Sequence, residues 1–436
     1  MTRKWCISVF FLLLFPAVLI SAPPSTRPNI LLIVIDTLRY DATLNNNMPF
    51  LASLAARGVL FTNAYAPHDF TPTSHFAMVT GLRDGLGTDD DRIENGVPYQ
   101  LQRTGYHTFA TAANVLISPK LMPTFRGFRD FKEQGDINTG NIFNAVGDIT
   151  YIDFRLAIFN CRPTLHARAM AFFSADWLLP VFVNQIRQAQ APYFGFVNLV
   201  DPHEPYIPDP KLYPPEKNLP PGFNGDVLQR KLGPELLRPD LISDPERRAH
   251  VKSKIEQAGA ASLTTIDLSS EAVAVYHNRY NAKARAADGA LRNFFDVLQR
   301  ERLLKNTIVI ITSDHGESFG EQELITHMFR DRGDPESTHH VPMLIVLPPS
   351  FHSTTRIVER RVSLPSLAAT IYDLAGLNWS GFKTRYPTYA PSLLPLFTER
   401  PPRYTTSVRV PKPAKQDRTE AEKERMKALR SLGYVH

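Results

Sequence analysis

Asn29-Ile30-Leu31-Leu32-Ile33-Val34-Ile35 runs directly into Asp36. After Asn29 the stretch shows no polar alternation, so it has no face for water. That is the signature of a strand buried on both sides, as in a parallel sheet covered by helices. Three further runs share this character: Phe194 to Val200, Thr307 to Thr312 and Met343 to Val346. Between them lie helical patterns, among them Met48 to Arg57 and Tyr280 to Arg300. Strands alternating with helices predict an α/β fold in which these runs form a parallel central sheet. Three of the runs end at, or one residue short of, an aspartate: Asp36, Asp201 and Asp314. Ligands of open α/β sheets bind beyond the carboxyl ends of the strands. The three carboxylates are therefore expected to share a site.

Size and composition allow this fold. The chain has 436 residues, long for one domain but within reach of an α/β domain carrying insertions. Hydrophobic residues make up 43% and charged residues 21%, which supplies a large core and excludes a disordered chain. The net charge of +6 favours anionic partners only weakly. No nucleic-acid motif accompanies it, so no nucleic-acid partner is expected. No internal repeat is visible.

The first 25 residues stand apart. Thr2-Arg3-Lys4 supplies positive charge, Trp5 to Ala22 carries none, and Pro23-Pro24 follows. This reads as an export segment. Pro16 and the small pair Ser21-Ala22 favour a cleaved signal, although the run is about long enough to stay as a single membrane anchor. Cys6 lies inside the apolar run, so Cys161 alone remains after it and no intramolecular disulfide can form. An exported chain without disulfides fits the bacterial periplasm, or the extracytoplasmic face of the inner membrane. Cys161 itself reads as a small buried hydrophobe. Residues 204–270, rich in proline and charge, read as a surface insertion. Beyond residue 350 a helix is expected from Leu364 to Leu374, ending at Gly376, and a last surface helix from Thr419 to Ser431.

The segment Phe70-Thr71-Pro72-Thr73-Ser74-His75-Phe76-Ala77-Met78-Val79-Thr80-Gly81 is a helix with its own punctuation. Thr71 can cap it, Pro72 suits its first position and Gly81 its end. Thr71 then sits where backbone N–H groups attract anions. A threonine hydroxyl is a weak nucleophile and needs a base or a metal. Asp314-His315 offers a carboxylate and an imidazole side by side, and Asp36 a second carboxylate. With the Thr71 oxygen they make a four-ligand site suited to Zn²⁺ or Mn²⁺.

At this point the sequence resembles the sulfatase-like proteins of the alkaline phosphatase superfamily. Asp36-Thr37-Leu38-Arg39-Tyr40-Asp41 is similar to their opening motif, and Thr71 to Gly81 to their nucleophile motif. Asp201-Pro202-His203-Glu204-Pro205-Tyr206 and Ser313-Asp314-His315-Gly316-Glu317 match their later motifs. His340-Val341-Pro342 and the close Leu429-Arg430-Ser431-Leu432-Gly433-Tyr434-Val435 resemble the family too. The motifs run in register from residue 27 to the end. The resemblance implies a three-layer sandwich with a mostly parallel sheet. Its catalytic core would span residues 27–350, with a smaller C-terminal subdomain over 351–436. It implies that Asp36, Thr71, Asp314 and His315 hold one divalent ion (Mn, Zn or Ca). Thr71 would be both ligand and nucleophile. His203 and His327 would contact the transferred anion or protonate the leaving oxygen, and Asn114 would also line the pocket.

Two departures narrow the substrate. Sulfatases carry Cys or Ser at the nucleophile position, which becomes formylglycine, and Thr71 cannot be converted that way. They also usually carry Asp after the first ligand and Asn after the Asp of the second motif, where this chain has Thr37 and His315. Both changes resemble relatives that process phosphodiesters, phosphonate monoesters or envelope phospho groups. The expected activity is therefore hydrolysis of phosphate, phosphonate or sulfate esters through Thr71. An envelope phosphotransferase and a non-catalytic anion-binding relic are the alternatives. His68, His75 and His107 lack metal-ligand spacing and read as structural, while His339 and His340 are left open.

Overall fold

The computed structural model describes residues 27–44, 47–114, 116–133, 174–203, 206, 208, 263–264, 270–321, 324–327, 336–399 and 404–411. The export segment, Cys6, Cys161, most of the 204–270 insertion, the helix expected over 419–431 and the closing motif lie outside these residues.

The strands are β1 (Asn29–Ile35), β2 (Gly58–Tyr65), β3 (His107–Ala112), β4 (Asp130–Lys132), β5 (Tyr193–Leu199), β6 (Leu263–Thr264), β7 (Thr307–Thr312), β8 (Ser318–Phe319), β9 (Leu324–Thr326), β10 (His340–Val346), β11 (Ile357–Val358) and β12 (Val362–Ser363). Nine of them form the main sheet, in the order β11-β2-β10-β7-β1-β5-β3-β4, with β12 also on β2. The helices that cover it are α1 (Pro49–Leu54), α2 (Thr71–Thr80), α3 (Val97–Arg103), α4 (Ala175–Gln188), α5 (Ser270–Arg300) and α6 (Ser366–Leu374).

β1 shows why its sequence has no polar face. Ile30, Leu32 and Val34 point into one core with α2, α3 and α6. Leu31, Ile33 and Ile35 point into the other with α1, α4 and α5. Alternate residues of a strand face opposite sides, so a strand between two helical layers must be apolar throughout. β1 pairs in parallel with β5 and β7, and β5 in parallel with β3. The carboxyl ends of these four strands therefore come together along one edge of the sheet.

One expectation fails in direction. The fourth run is strand β10, but it lies antiparallel to both β7 and β2. A continuous apolar sequence reports burial on both faces and not polarity. A parallel return needs a crossover on one face, whereas an antiparallel return needs only a loop at the strand ends. After residue 350, β11 and β12 pair with β2, and Leu367 and Ile371 of α6 pack with Phe76 and Met78 of α2, while Leu377–Asn378 and Thr406–Ser407 pair in a separate two-stranded sheet.

α2 ends at Gly81, whose φ of 78° is left-handed. An added Cβ there would sit 2.4 Å from the Tyr389 ring. Gly81→Ala should therefore lower stability by about 1–2 kcal/mol from backbone strain alone. Urea unfolding reads this directly, and an unchanged midpoint would contradict the cap geometry.

Candidate active site

β1 delivers Asp36 to the carboxyl edge, and the turn after it is strained. Thr37 adopts φ 58°, a left-handed conformation that a β-branched residue rarely takes. The buried Tyr280 hydroxyl clamps the turn. It donates to Thr37 O at 2.8 Å and accepts the Arg39 N–H at 2.9 Å. The result is an N–H of Thr37 aimed at Asp314 Oδ1 at 3.2 Å. Asp314 Oδ1 also accepts the His315 N–H at 3.0 Å.

Asp36, Asp314 and His315 are all fully buried and offer one ligand atom each, mutually within 4.8 Å. His315 donates Nδ1–H to Gly316 O at 2.9 Å, which leaves the Nε2 lone pair facing the cluster. Gly316 is glycine for a reason of space: a Cβ would lie 2.0 Å from Ser337 O. Thr71, 1% exposed, completes the group. Its Oγ1 is 3.1 Å from His315 Nε2 and 3.4 Å from Asp36 Oδ1. The expectation that Thr71 caps α2 needs adjustment. The extended residue before the helix is Phe70, and the Thr71 side chain makes no capping bond. The hydroxyl faces the carboxylates and the imidazole instead.

The electrostatics ask for a cation. Burial, and then the charge of Asp36, push the Asp314 carboxyl well above the usual carboxylate range. Burial also pushes Asp36 up, but His203, His315 and the Asn114 amide more than offset it, so Asp36 stays low. Burial, followed by His327, holds His315 well below the ordinary imidazole value. Asp314 Oδ2 has no hydrogen-bond partner. Two buried carboxylates in contact cannot both ionise without a counter-charge. An orphaned carboxylate oxygen and an imidazole lone pair at the same point fit a divalent cation.

Around this centre the expected residues divide. Asn114 is present, but its Nδ2 donates to Asp36 Oδ2 at 2.8 Å and its Oδ1 accepts the Leu116 N–H at 2.9 Å. Both ends of the amide are committed, so it orients Asp36. His327 and His203 lie side by side, with ring centroids 5.1 Å apart, and His327 is 4.5 Å from the His315 ring. Asp201 does not join the site. Its Oδ2 accepts the Ala175 N–H at 2.8 Å, at the start of α4. A helix N-terminus has unsatisfied N–H groups, and a strand-end carboxylate can serve one as well as a ligand. His339 and His340 bond to Ala66 O and Thr62 O, outside the cluster.

Two residues of the site were given no role in the sequence reading, Glu317 and Asn198. Glu317, fully buried, has Oε1 2.9 Å from His327 Nδ1. Asn198, fully buried in β5, accepts the Asn114 N–H at 3.1 Å and lies 3.5 Å from Asp36 Oδ2. Its one signal was an amide in an otherwise apolar strand. His75 is buried as expected of a structural residue, and burial lowers it to about 4. Its ring Nδ1–H donates to Thr71 O at 2.8 Å and lies 3.4 Å from Asp314 Oδ2, which ties α2 to the cluster.

The family model described as Sulfatase matches residues 28–377. A sulfatase of Formosa agariphila is 25% identical over 387 residues, covering 81% of this chain and 70% of that protein. A choline-sulfatase of Rhizobium meliloti is 22% identical over 389 residues, covering 81% and 68%. Among solved structures, a phosphonate monoester hydrolase of Agrobacterium radiobacter superposes with a TM-score of 0.54 at 20% identity, covering 80% of this chain and 74% of that one.

Proposed function

Because the chain belongs to the sulfatase family, hydrolases of sulfate or phosphate esters that use a divalent metal ion, we propose that Thr71 is its nucleophile and that phosphodiesters or phosphonate monoesters are its preferred substrates. The observation that carries this reading is the Thr71 hydroxyl at 3.1 Å from His315 Nε2, inside the Asp36–Asp314–His315 cluster. The choice of phospho ester rests on chemistry. A threonine side chain is a secondary alcohol, whose oxidation gives a ketone and never the aldehyde that formylglycine supplies. Direct attack by an alkoxide on phosphorus needs no such conversion.

Asp36, Asp314 and His315 would hold the cation, with Thr71 beside it. When bound, the ion supplies positive charge that lowers the hydroxyl pKa and neutralises the anionic ester. Thr71 Oγ1, once its proton is lost to solvent, attacks phosphorus in line as the alkoxide. A bond forms from Oγ1 to phosphorus, and the bond from phosphorus to the leaving oxygen breaks. His327 donates a proton to that oxygen from Nε2, while its Nδ1–H stays on Glu317. An orienting carboxylate on the far nitrogen of an imidazole plays this part in other hydrolases. In the second half, water attacks phosphorus, His327 Nε2 takes its proton, the bond from phosphorus to Oγ1 breaks, and Oγ1 leaves as the alkoxide that began the cycle. His203 shares the charge on the transferred group. The charged and then apolar opening over residues 1–25 supports export, with the periplasm as the compartment.

The test is turnover of matched nitrophenyl esters by the metal-loaded protein: a sulfate, a phosphate monoester, a phosphodiester and a phosphonate monoester. Preference for the last two supports the reading, and turnover of the sulfate alone overturns the substrate choice. Glu317→Gln gives a finer check. For an alkyl leaving group, which must be protonated, kcat should fall on the order of 10²-fold, the usual size of a general-acid contribution. For nitrophenolate, which leaves unprotonated, kcat should change little. Equal losses on both would mean that Glu317 only holds the fold.

A further inference from the structure

On the flank of the sheet carrying β2 and β12 lies an open cleft of about 910 Å³. Its lining includes three arginines, Arg83, Arg360 and Arg361, and one carboxylate, Glu336. The Glu336 carboxylate is engaged, because Tyr65 donates its hydroxyl to Oε1 at 2.6 Å. Ser366, the first residue of the nine-residue helix α6, also lines the cleft and brings the positive end of that helix to it.

The Arg361 guanidinium is pre-positioned. It lies 3.7 Å over the Tyr65 ring. Tyr65 stacks on His340 at 4.9 Å, and His340 stacks on Tyr40 at 4.3 Å. A planar cation seated on a rigid aromatic column has lost its rotamer freedom before any ligand arrives, and it keeps its fork of donors for an oxyanion. All three arginines are exposed, so their donors are open to an incoming ligand.

Hydrogen bonds and chain connectivity link the cleft walls to the segments that carry the cluster. The Gly316 N–H, next to His315, donates to Thr338 O at 2.7 Å. His339, a wall of the cleft, donates Nδ1–H to Ala66 O at 2.9 Å. Pro67, another wall, precedes Thr71 in the same loop, so chain reach places the two within about 14 Å. We infer that this cleft binds a second oxyanion (sulfate, phosphate or carboxylate) carried by the same substrate whose ester group reacts at Thr71. The inference rests on the reading of the Thr71 site as an ester hydrolase, and it makes the substrate extended and multiply anionic.

The test uses the metal-loaded full chain and low-mass dextran sulfate as the probe. Calorimetry at fixed ionic strength measures binding to the wild type, to Arg360→Ala/Arg361→Ala, and to Arg103→Ala/Arg300→Ala as a control for general basicity. The cleft variant should bind at least 10-fold more weakly, and the control less than 2-fold. The probe should also inhibit turnover of a small nitrophenyl phosphonate, and the cleft variant should need at least 10-fold more of it while keeping kcat/KM for the small ester. Equal weakening in both variants, or no binding to the wild type, overturns the inference. Selective binding without ester turnover by the wild type would instead overturn the hydrolase reading and leave the oxyanion cleft standing.

Discussion

Thr71→Ala should abolish phospho-ester turnover, with a loss on the order of 10⁴-fold or more, as expected when the attacking group itself is removed. The protein should still fold. α2 keeps Pro72 at its start and Gly81 at its end, and the substitution removes only a hydroxyl and a methyl at the first helical position. Metal content should fall little, because Asp36, Asp314 and His315 remain. Thr71→Ser should retain part of the rate, since it keeps an oxygen at the same place but loses the methyl that restricts its rotamer. The measurement is kcat/KM on the best nitrophenyl ester, with metal content determined on the same samples. Full turnover by the alanine variant would remove Thr71 from the mechanism.

Asp314→Asn should have the second largest effect, and it should act in opposite directions with and without metal. With metal supplied, the variant should lose both the ion and turnover, because an amide is a weaker ligand than a carboxylate. After chelation the variant should be more stable than the wild type. Asp314 is raised well above its ordinary value in the folded protein by burial and by Asp36. A raised folded value means that the folded state holds a proton which the unfolded state releases. Its contribution to stability is full below the unfolded value of about 4 and is lost as pH rises through the folded one. Near neutral pH the metal-free wild type therefore carries a penalty that the asparagine variant lacks. Metal reverses this, stabilising the wild type by about 2.7 kcal/mol at a hundred times its dissociation constant. Thermal unfolding of both proteins, with and without a chelator, reads the crossing. If chelation leaves the wild-type Tm unchanged, the cluster does not hold a cation.

Residues adjacent along the chain carried much of this site openly. Thr71 with Pro72 and Gly81, and Asp314 with His315, are local patterns, and local patterns are set by helix ends and strand ends. The strands were legible because burial on both faces leaves no polar alternation in Asn29–Ile35 or Thr307–Thr312. Their parallel order followed from the helices between them. These features determined an α/β sheet with carboxylates at one edge, and the meeting of Asp36, Thr71, Asp314 and His315 agrees with it.

Only the tertiary structure decided the rest, because those contacts join residues whose sequences carry no mutual signal. β10 runs antiparallel, since burial does not encode direction. Asp201 was indistinguishable from a ligand by its place after a strand, until α4 brought an N–H to it from 26 residues away. Asn198 and Asn114 meet Asp36 only because β3, β5 and β1 lie side by side. Glu317 becomes the partner of His327 through the antiparallel pairing of β8 with β9. The arginine cleft draws on Arg83 and on the adjacent pair Arg360-Arg361, far from it in the chain and joined to it only by the approach of β12 and α6 to the end of β2. A sequence records what each residue prefers locally. Which distant preferences are satisfied together is set by packing, and packing decided how this Asp–His cluster is braced and what surrounds it.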